Sequence, residues 1–195
     1  MTVEWLLVPI SFVLGTFPSA LMIGRLVGHN PMTEGSGNPG ATNMFRIAGK
    51  RAGIPTLIID VLKAVIACGL GHLFGDATTA VWSGAAAVMG HMFPFIRASR
   101  GGKGVACFGG LTICAWPILA PIGLLAWAGA AKLFNASFMG AMVGVPTVVV
   151  GTIVIGRPWI EVAIAAAVGV VIIGRHHQNI RQFLQRRNVG NQRHI

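Results

Sequence analysis

Charge is the scarcest property of this sequence. Asp, Glu, Lys and Arg make up 10% of its 195 residues, hydrophobic residues make up 54%, and tyrosine is absent. A soluble domain of this length carries about 25% charged residues, so a soluble globular fold is excluded. Acids are scarcest of all: five Asp and Glu face 15 Lys and Arg, a net charge of +10. In a soluble chain that excess would suggest nucleic acid. Here the basic residues sit in a few loops between apolar runs, a distribution that orients a membrane protein. Anionic lipids and phosphate compounds are therefore the expected partners, and nucleic acid is not. Cysteine is sparse too. Cys68, Cys107 and Cys114 lie in apolar stretches and are taken to have no His or acid at ligand spacing. They read as packing residues, with neither a disulfide framework nor a metal site expected.

What the sequence has is glycine, 27 residues of it, and long apolar runs at 3–23, 54–74 and 162–174. Each run approaches the roughly 20 residues that cross a hydrocarbon core of about 30 Å. The first begins with Glu4, without a basic leader, and ends at Gly24-Arg25 without a small-residue cleavage pattern, so it reads as a retained helix. Gly, Pro and charge divide the rest. Helices are expected over 3–25, 53–74, 77–95, 136–155 and 159–174, with an apolar stretch over 104–131 broken at Trp116-Pro117 and again near Pro121.

Loop 29–52, loop 97–103 and the tail 175–195 hold most of the Lys and Arg, which places all three on the cytoplasmic side. The turn at Arg157 then falls outside, and an odd number of crossings must separate it from Lys103. Splitting 104–131 at Trp116-Pro117 satisfies that parity. The halves are short, and read either as tilted spans or as a re-entrant hairpin. The expected fold is an all-α integral membrane protein, a compact bundle of about seven transmembrane helices, some short or broken, in a single domain over 1–195. Small-xxx-small spacings at Gly24/Gly28, Gly71/Gly75 and Gly140/Gly144 suit close helix packing.

Three islands are too polar for mere connections. The first holds Gly35, Gly37 and Gly40 among Ser36, Asn38, Thr42 and Asn43, followed by Arg46. Such a run can turn backbone N–H groups to one side as an anion nest; a flexible loop is the bland alternative. The second runs from Gly90-His91 and Pro94 through Arg97 and Arg100 to Gly101, Gly102, Lys103 and Gly104. A cation and free N–H groups at a helix start make a phosphate site; the Walker spacing is absent, so a nucleotide triphosphate is not expected. A positive-inside anchor is the alternative. The third is Arg175 to Asn179, where His176 and Asn179 share a helical face; a structural His pair is equally open. Asp60 and Lys63 can neutralise each other within a helix, for structure or for function. Ser137 reads either as a helix cap or as a substrate contact.

Together the islands resemble the acyl-phosphate:glycerol-3-phosphate acyltransferases, the PlsY family. The resemblance covers nearly the whole chain. It rests on 35–43 through Arg46, on 49–53 with Asp60 and Lys63, on Gly90-His91-x-Phe93-Pro94 with 101–106, and on His176-x-x-Asn179-Ile180. The family usually has an acid and an arginine where Asn30 and Met32 stand, and a Gly-x-Glu where Arg186-Arg187-Asn188 stand. The resemblance implies transfer of a fatty acyl group from acyl phosphate to glycerol 3-phosphate, giving lysophosphatidic acid and phosphate, the first acylation of phospholipid synthesis. It implies no cofactor. Ser36, Asn38, His176 and Asn179 would be the catalytic group. Gly35, Gly37, Gly40, Thr42, Asn43, Arg46, Gly101, Gly102, Lys103, Gly104 and Ser137 would bind substrate. His176 or a substrate phosphate oxygen would take the hydroxyl proton. Expected partners are glycerol 3-phosphate, a long-chain acyl phosphate, membrane lipids and the soluble acyl-phosphate synthase. The expected place is the bacterial inner membrane, multi-pass, with the active face and tail cytoplasmic. Two rivals from other classes are a transporter or exchanger of a phosphorylated solute, using the same basic loops, and a lipid phosphatase, for which no nucleophile constellation is found.

Overall fold

The computed structural model describes the backbone of residues 3–95 and 101–192 and the side chains of 4–95 and 101–185. Arg97, Arg100 and Arg193 lie outside the described residues, as do the side chains of Arg186, Arg187 and Asn188. All regular structure among the described residues is helical. After a 3-10 turn at Val3–Leu6 come α1 (Leu7–Gly15), α2 (Ser19–Val27), α3 (Ala41–Ala48), α4 (Lys50–Phe74) and α5 (Ala77–Met92). Then follow α6 (Val105–Ala115), α7 (Leu119–Leu133), α8 (Ser137–Val154), α9 (Trp159–Gly174) and α10 (His177–Gln192).

The span expected over 3–25 is present as Glu4–Val27, interrupted at residues 16–18 between α1 and α2. Pro18 has no N–H to give, and the chain bends between α1 and α2. The freed Phe17 carbonyl accepts from Lys63 Nζ at 3.3 Å. Two further differences lie in the polar segments, which contain α3 and α10 where loop and tail were expected. Trp116-Pro117 does divide the 104–131 stretch, into α6 and α7.

Three helical segments are long and apolar enough to cross a membrane alone: Glu4–Val27, Lys50–Phe74 and Ser137–Val154. α4 shows why the chain needs lipid. Ile54, Leu57, Ile58, Leu62 and Ile66 point outward, while Thr56, Asp60, Lys63, Ala64, Ala67 and Gly71 are buried. That face is the reverse of a soluble amphipathic helix, with small and polar residues turned to the protein.

Small residues set the crossings. A Cβ on Gly90 would fall 2.0 Å from the Phe12 carbonyl oxygen, and one on Gly110 would fall 2.2 Å from that of Val61, so α1 meets α5 and α4 meets α6 backbone to backbone. Gly140 and Gly144 seat Trp127 between α7 and α8, and Gly71 faces Ala80 across α4 and α5. Gly24 and Gly28 serve differently. Gly28 ends α2 with φ +77°, and Gly24, in the last turn of α2, packs against His29.

Two buried carboxylates are paired. Asp60 accepts from Ser19 Oγ at 2.6 Å and pairs with Lys63 at 3.0 Å. Glu161, at 1% exposure, takes a two-pronged pair from Arg157 at 2.9 and 3.0 Å, and its Oε2 accepts Trp116 Nε1–H at 2.9 Å. The second contact fixes the depth of α6. Trp116, just past its end, reaches the first turn of α9, while Gly101 and Gly102, just before its start, bond Arg175 at the other end of α9. The chain from Gly101 to Trp116, with α6 at its centre, therefore reaches from one end of α9 to the other, and α7 makes the return.

The cysteines pack in the core as expected, but tertiary packing corrects the statement that no His or acid lies at ligand distance from them. Cys68, His72 and Cys114 bring their ligand atoms within 4.8 Å of one another, and Asp60, His91 and Cys107 do the same.

Candidate active site

The glycine loop is tied from below by one amide. Asn43, on α3 and buried, accepts the Ser36 N–H at 2.9 Å and donates to the Pro31 and Glu34 carbonyls at 3.1 and 3.0 Å. Glu34 closes the loop's entrance, accepting the Asn30 N–H at 2.6 Å and meeting His29 Nδ1 at 2.7 Å. The His29 contact, then the Asn30 N–H, hold its carboxyl below the usual range. The expected nest is open only in part. The N–H groups of Ser36, Gly37 and Gly40 are already bonded within the loop. Among the described residues the Ser36 hydroxyl and Asn38 amide make no hydrogen bond, so the loop offers these side chains together with the N–H groups of Gly35 and Asn38.

The second loop rests on His91. Lys63 Nζ lies 2.7 Å from His91 Nδ1, and Asp60 Oδ1 lies 3.4 Å from it. Nδ1 thus faces this ion pair, and Nε2 faces Gly102. The Gly102 N–H donates to the His91 carbonyl at 3.1 Å. From above, Arg175 Nη2 donates to the Gly101 and Gly102 carbonyls at 2.7 and 3.3 Å, its guanidinium 5.3 Å over the Phe93 ring. Gly104, with φ +84°, turns the chain into α6 in a conformation that favours glycine.

These loops face one cavity of about 1240 Å³. Gly35, Ser36, Gly37, Asn38, Arg46, Gly101, Lys103, Ser137 and Asn179 line it, as the sequence proposed. The others do not line it. Gly40 and Thr42 begin α3, Asn43 ties the loop, Gly102 and Gly104 pack on His91 and Met92, and His176 is 4% exposed beneath the cavity. Ser137 is not a cap, since Ala136 holds that position and no side-chain bond is made there.

Three cations converge: Arg46, Lys103 and Arg175. Lys103 donates to Asn179 Oδ1. Burial, with Arg175 and Arg46 adding repulsion, pushes Lys103 down to about 8. His176 Nδ1 lies 2.8 Å from the Ile172 carbonyl, which can only accept, leaving Nε2 with the lone pair. Burial first, then the Lys103 charge, hold its pKa below the ordinary value.

Arg175 was read from sequence only as part of a polar island; its span from α9 to the glycine pair is a tertiary fact. Asn135, with φ 47°, and Phe134, Phe138 and Phe183 also line the cavity. Only the positive φ of Asn135 has a sequence signal, the tolerance of Asn for left-handed backbone.

A multi-pass helical membrane bundle with a cation-lined polar cavity at one end defines a class that handles anionic, phosphate-bearing compounds at the membrane surface. The chain belongs to the glycerol-3-phosphate acyltransferase family, whose model matches residues 5–186. It is 34% identical to a glycerol-3-phosphate acyltransferase of Bacillus cereus (strain G9842), over 95% of this chain and 94% of that protein. It is also 34% identical to one of Pseudomonas syringae pv. tomato, over 98% and 97%. Its fold matches the crystal structure of PlsY, an integral membrane glycerol 3-phosphate acyltransferase, in the glycerol 3-phosphate form, with a TM-score of 0.88 and 32% identity over 95% of this chain and 94% of that one. The lysophosphatidic acid form gives 0.83 and 30% over the same shares. Family membership displaces the transporter and phosphatase alternatives.

Proposed function

We propose that this cavity transfers a fatty acyl group from acyl phosphate to a hydroxyl of glycerol 3-phosphate, giving lysophosphatidic acid and inorganic phosphate. One observation carries the reading. Arg46, Lys103 and Arg175 meet the uncommitted Ser36 and Asn38 side chains and Asn179 around a single cavity whose described lining has no carboxylate. Two phosphate-bearing substrates need cations and neutral donors, and an acid there would repel both.

The chemistry asks mainly for positioning and charge. The hydroxyl oxygen forms a bond to the acyl carbon, the bond from that carbon to the phosphate oxygen breaks, and phosphate departs with the electron pair. The mixed anhydride is already activated, so alignment and stabilisation of developing negative charge are what the protein supplies. Ser36 and Asn38 face the acyl-phosphate head, and Arg46 and Lys103 hold phosphate oxygens. Asn179 and Ser137 orient the glycerol. The hydroxyl proton passes to a phosphate oxygen of the donor, because His176 stands behind the cavity wall. His176 instead supports the turn that carries Arg175 and His177.

The whole chain, 1–195, acts as one domain in this reading. The cavity opens to the cytoplasm, where the soluble acyl-phosphate synthase would deliver the donor, and Phe138 with Phe183 offers an apolar rim toward the lipid. The test is transfer to glycerol 3-phosphate by purified protein, with palmitoyl phosphate and palmitoyl-CoA compared at equal concentration. Activity with the phosphate and none with the thioester is expected; the reverse overturns the proposal.

A further inference from the structure

The two thiol-containing clusters differ in one respect that decides between them. In the Asp60, His91 and Cys107 group the place of a cation is taken, because Lys63 Nζ already lies 3.0 Å from Asp60 and 2.7 Å from His91. The Cys68, His72 and Cys114 group has no such occupant. Among the described residues the His72 ring makes no hydrogen bond, and no Lys or Arg is paired there.

The group is a product of helix register. Cys68 and His72 are four apart on α4 and share a face. α6 runs alongside α4, and a Cβ on Gly110 would fall 3.2 Å from Ala64 Cβ. Four residues further along each helix, that pairing becomes Cys114 beside Cys68. α6 ends at Ala115, so the next turn of α4, which carries His72, is left uncovered. Cys68 is buried, Cys114 half-buried and His72 exposed, which gives an entry path from one side only.

We propose that Cys68, His72 and Cys114 form a site for a borderline-soft divalent cation, zinc(II), with water in the fourth position, clamping α4 to α6 at the ends remote from the cavity. The donor set suits the ion: thiolate and imidazole select zinc over the hard, oxygen-seeking cations. Zinc bonds of about 2.3 Å to sulfur and 2.0–2.1 Å to nitrogen imply ligand separations of about 3.5–3.8 Å in a tetrahedron. The ligand atoms already lie within 4.8 Å of one another, so small side-chain rotations close the site. Charge also balances. Binding releases both thiol protons, and two thiolates with a divalent ion make a neutral unit. A neutral unit avoids the desolvation penalty that an unpaired ion would meet beside lipid.

Cobalt(II) is the probe, because thiolate ligation gives it charge-transfer absorption that binding through imidazole alone does not. Purified, reduced, metal-free protein in detergent should bind one cobalt with a thiolate band, and zinc should displace it. Cys68→Ser and Cys114→Ser should each abolish or halve the band. His72→Gln should weaken binding about tenfold or more, and Cys107→Ala should leave it unchanged. Because Cys68 is fully buried and its variant could unfold, the wild-type chain supplies a second reading: zinc should slow alkylation of Cys114 at least tenfold. Cobalt bound without a thiolate band overturns the site, as does Cys114 alkylation indifferent to zinc. A protein that forms a Cys68–Cys114 disulfide on exposure to dioxygen, and that holds no zinc when reduced, overturns it too.

Discussion

The His91 imidazole stands so close to Gly102 that a Cβ added there would lie 2.1 Å from Nε2. His91 has no room to retreat, because its other ring nitrogen is held at 2.7 Å by Lys63, itself paired with Asp60. Any side chain at 102 must therefore displace the loop that carries Lys103. Gly102→Ala should lower kcat/KM by about a hundredfold, the cost of a displacement near 1 Å in a positioned site, while the helical fold is retained. Kinetics and circular dichroism of the purified variant check this. A Gly102→Ala enzyme with unchanged kinetics would show that His91 does not template the loop.

Lys103 connects charge to pH. Its ammonium is the half-buried cation of the cavity, and a charge-assisted bond to phosphate is worth about 1.5–3 kcal/mol. Lys103→Ala should thus cost one to two decades in kcat/KM. In the free enzyme the group is held down to about 8, charged below that pH and neutral above. kcat/KM should therefore fall as pH rises through about 8, and Lys103→Arg should move that limb upward, since a guanidinium stays charged. Stability runs the other way. Between about 8 and the ordinary lysine value the unfolded chain binds the proton and the folded one does not, so this group makes folding more favourable as pH rises there. A pH profile of kcat/KM for both proteins checks the first sign, and melting temperatures across the same range check the second.

Glu161 stabilises without touching the cavity. It lies in the first turn of α9, 1% exposed, and joins Arg157 and the Trp116 indole. Glu161→Gln leaves Arg157 with an uncompensated charge and weakens the tie that holds the α6–α7 break. Breaking a buried pair from one side typically costs about 3–5 kcal/mol, so thermal stability should drop sharply. Under conditions where the variant remains folded, kcat should stay near wild type. A normal melting temperature would remove Glu161 from the stabilising set.

The chemistry of the cavity was legible in sequence where a short run concentrates it. Ser36, Asn38, Arg46 and Lys103 announce themselves because glycine beside donors and cations has few structural uses in a membrane chain. What sequence hid is long-range. Asn43 is as polar as Asn38, yet the fold turns it inward to tie the loop. Arg175 reads only as part of a polar island until α9 is seen to end over Gly101. The break after Thr16 was missed because apolar residues flank Pro18 on one side without a polar interruption. His72 follows Cys68 at helical ligand spacing and was passed over, and Cys114 joins them only through the register of α4 and α6.

The last prediction concerns sidedness. Segments at 32–39, 101–103, 134–138 and 175–183 line one cavity, so the chain returns to the same end of the bundle after α4–α5, after α6–α7 and after α8–α9. That end carries Arg46, Lys50, Arg51, Lys103, Lys132, Arg175 and Arg181. The far end has Glu4, Asp76 and Arg157, and the last of these is neutralised by Glu161. A bias this large toward one end leads us to expect that end on the cytoplasmic side. Single cysteines at Lys50 and Gly156, in a chain whose own cysteines are replaced, should therefore label from opposite sides of sealed vesicles. Lys50→Cys should react with an impermeant maleimide only in inside-out vesicles, and Gly156→Cys only in right-side-out ones. Reaction of Lys50→Cys in right-side-out vesicles would put the cavity outside, away from any cytoplasmic supply of glycerol 3-phosphate, and the proposed function would fail with it.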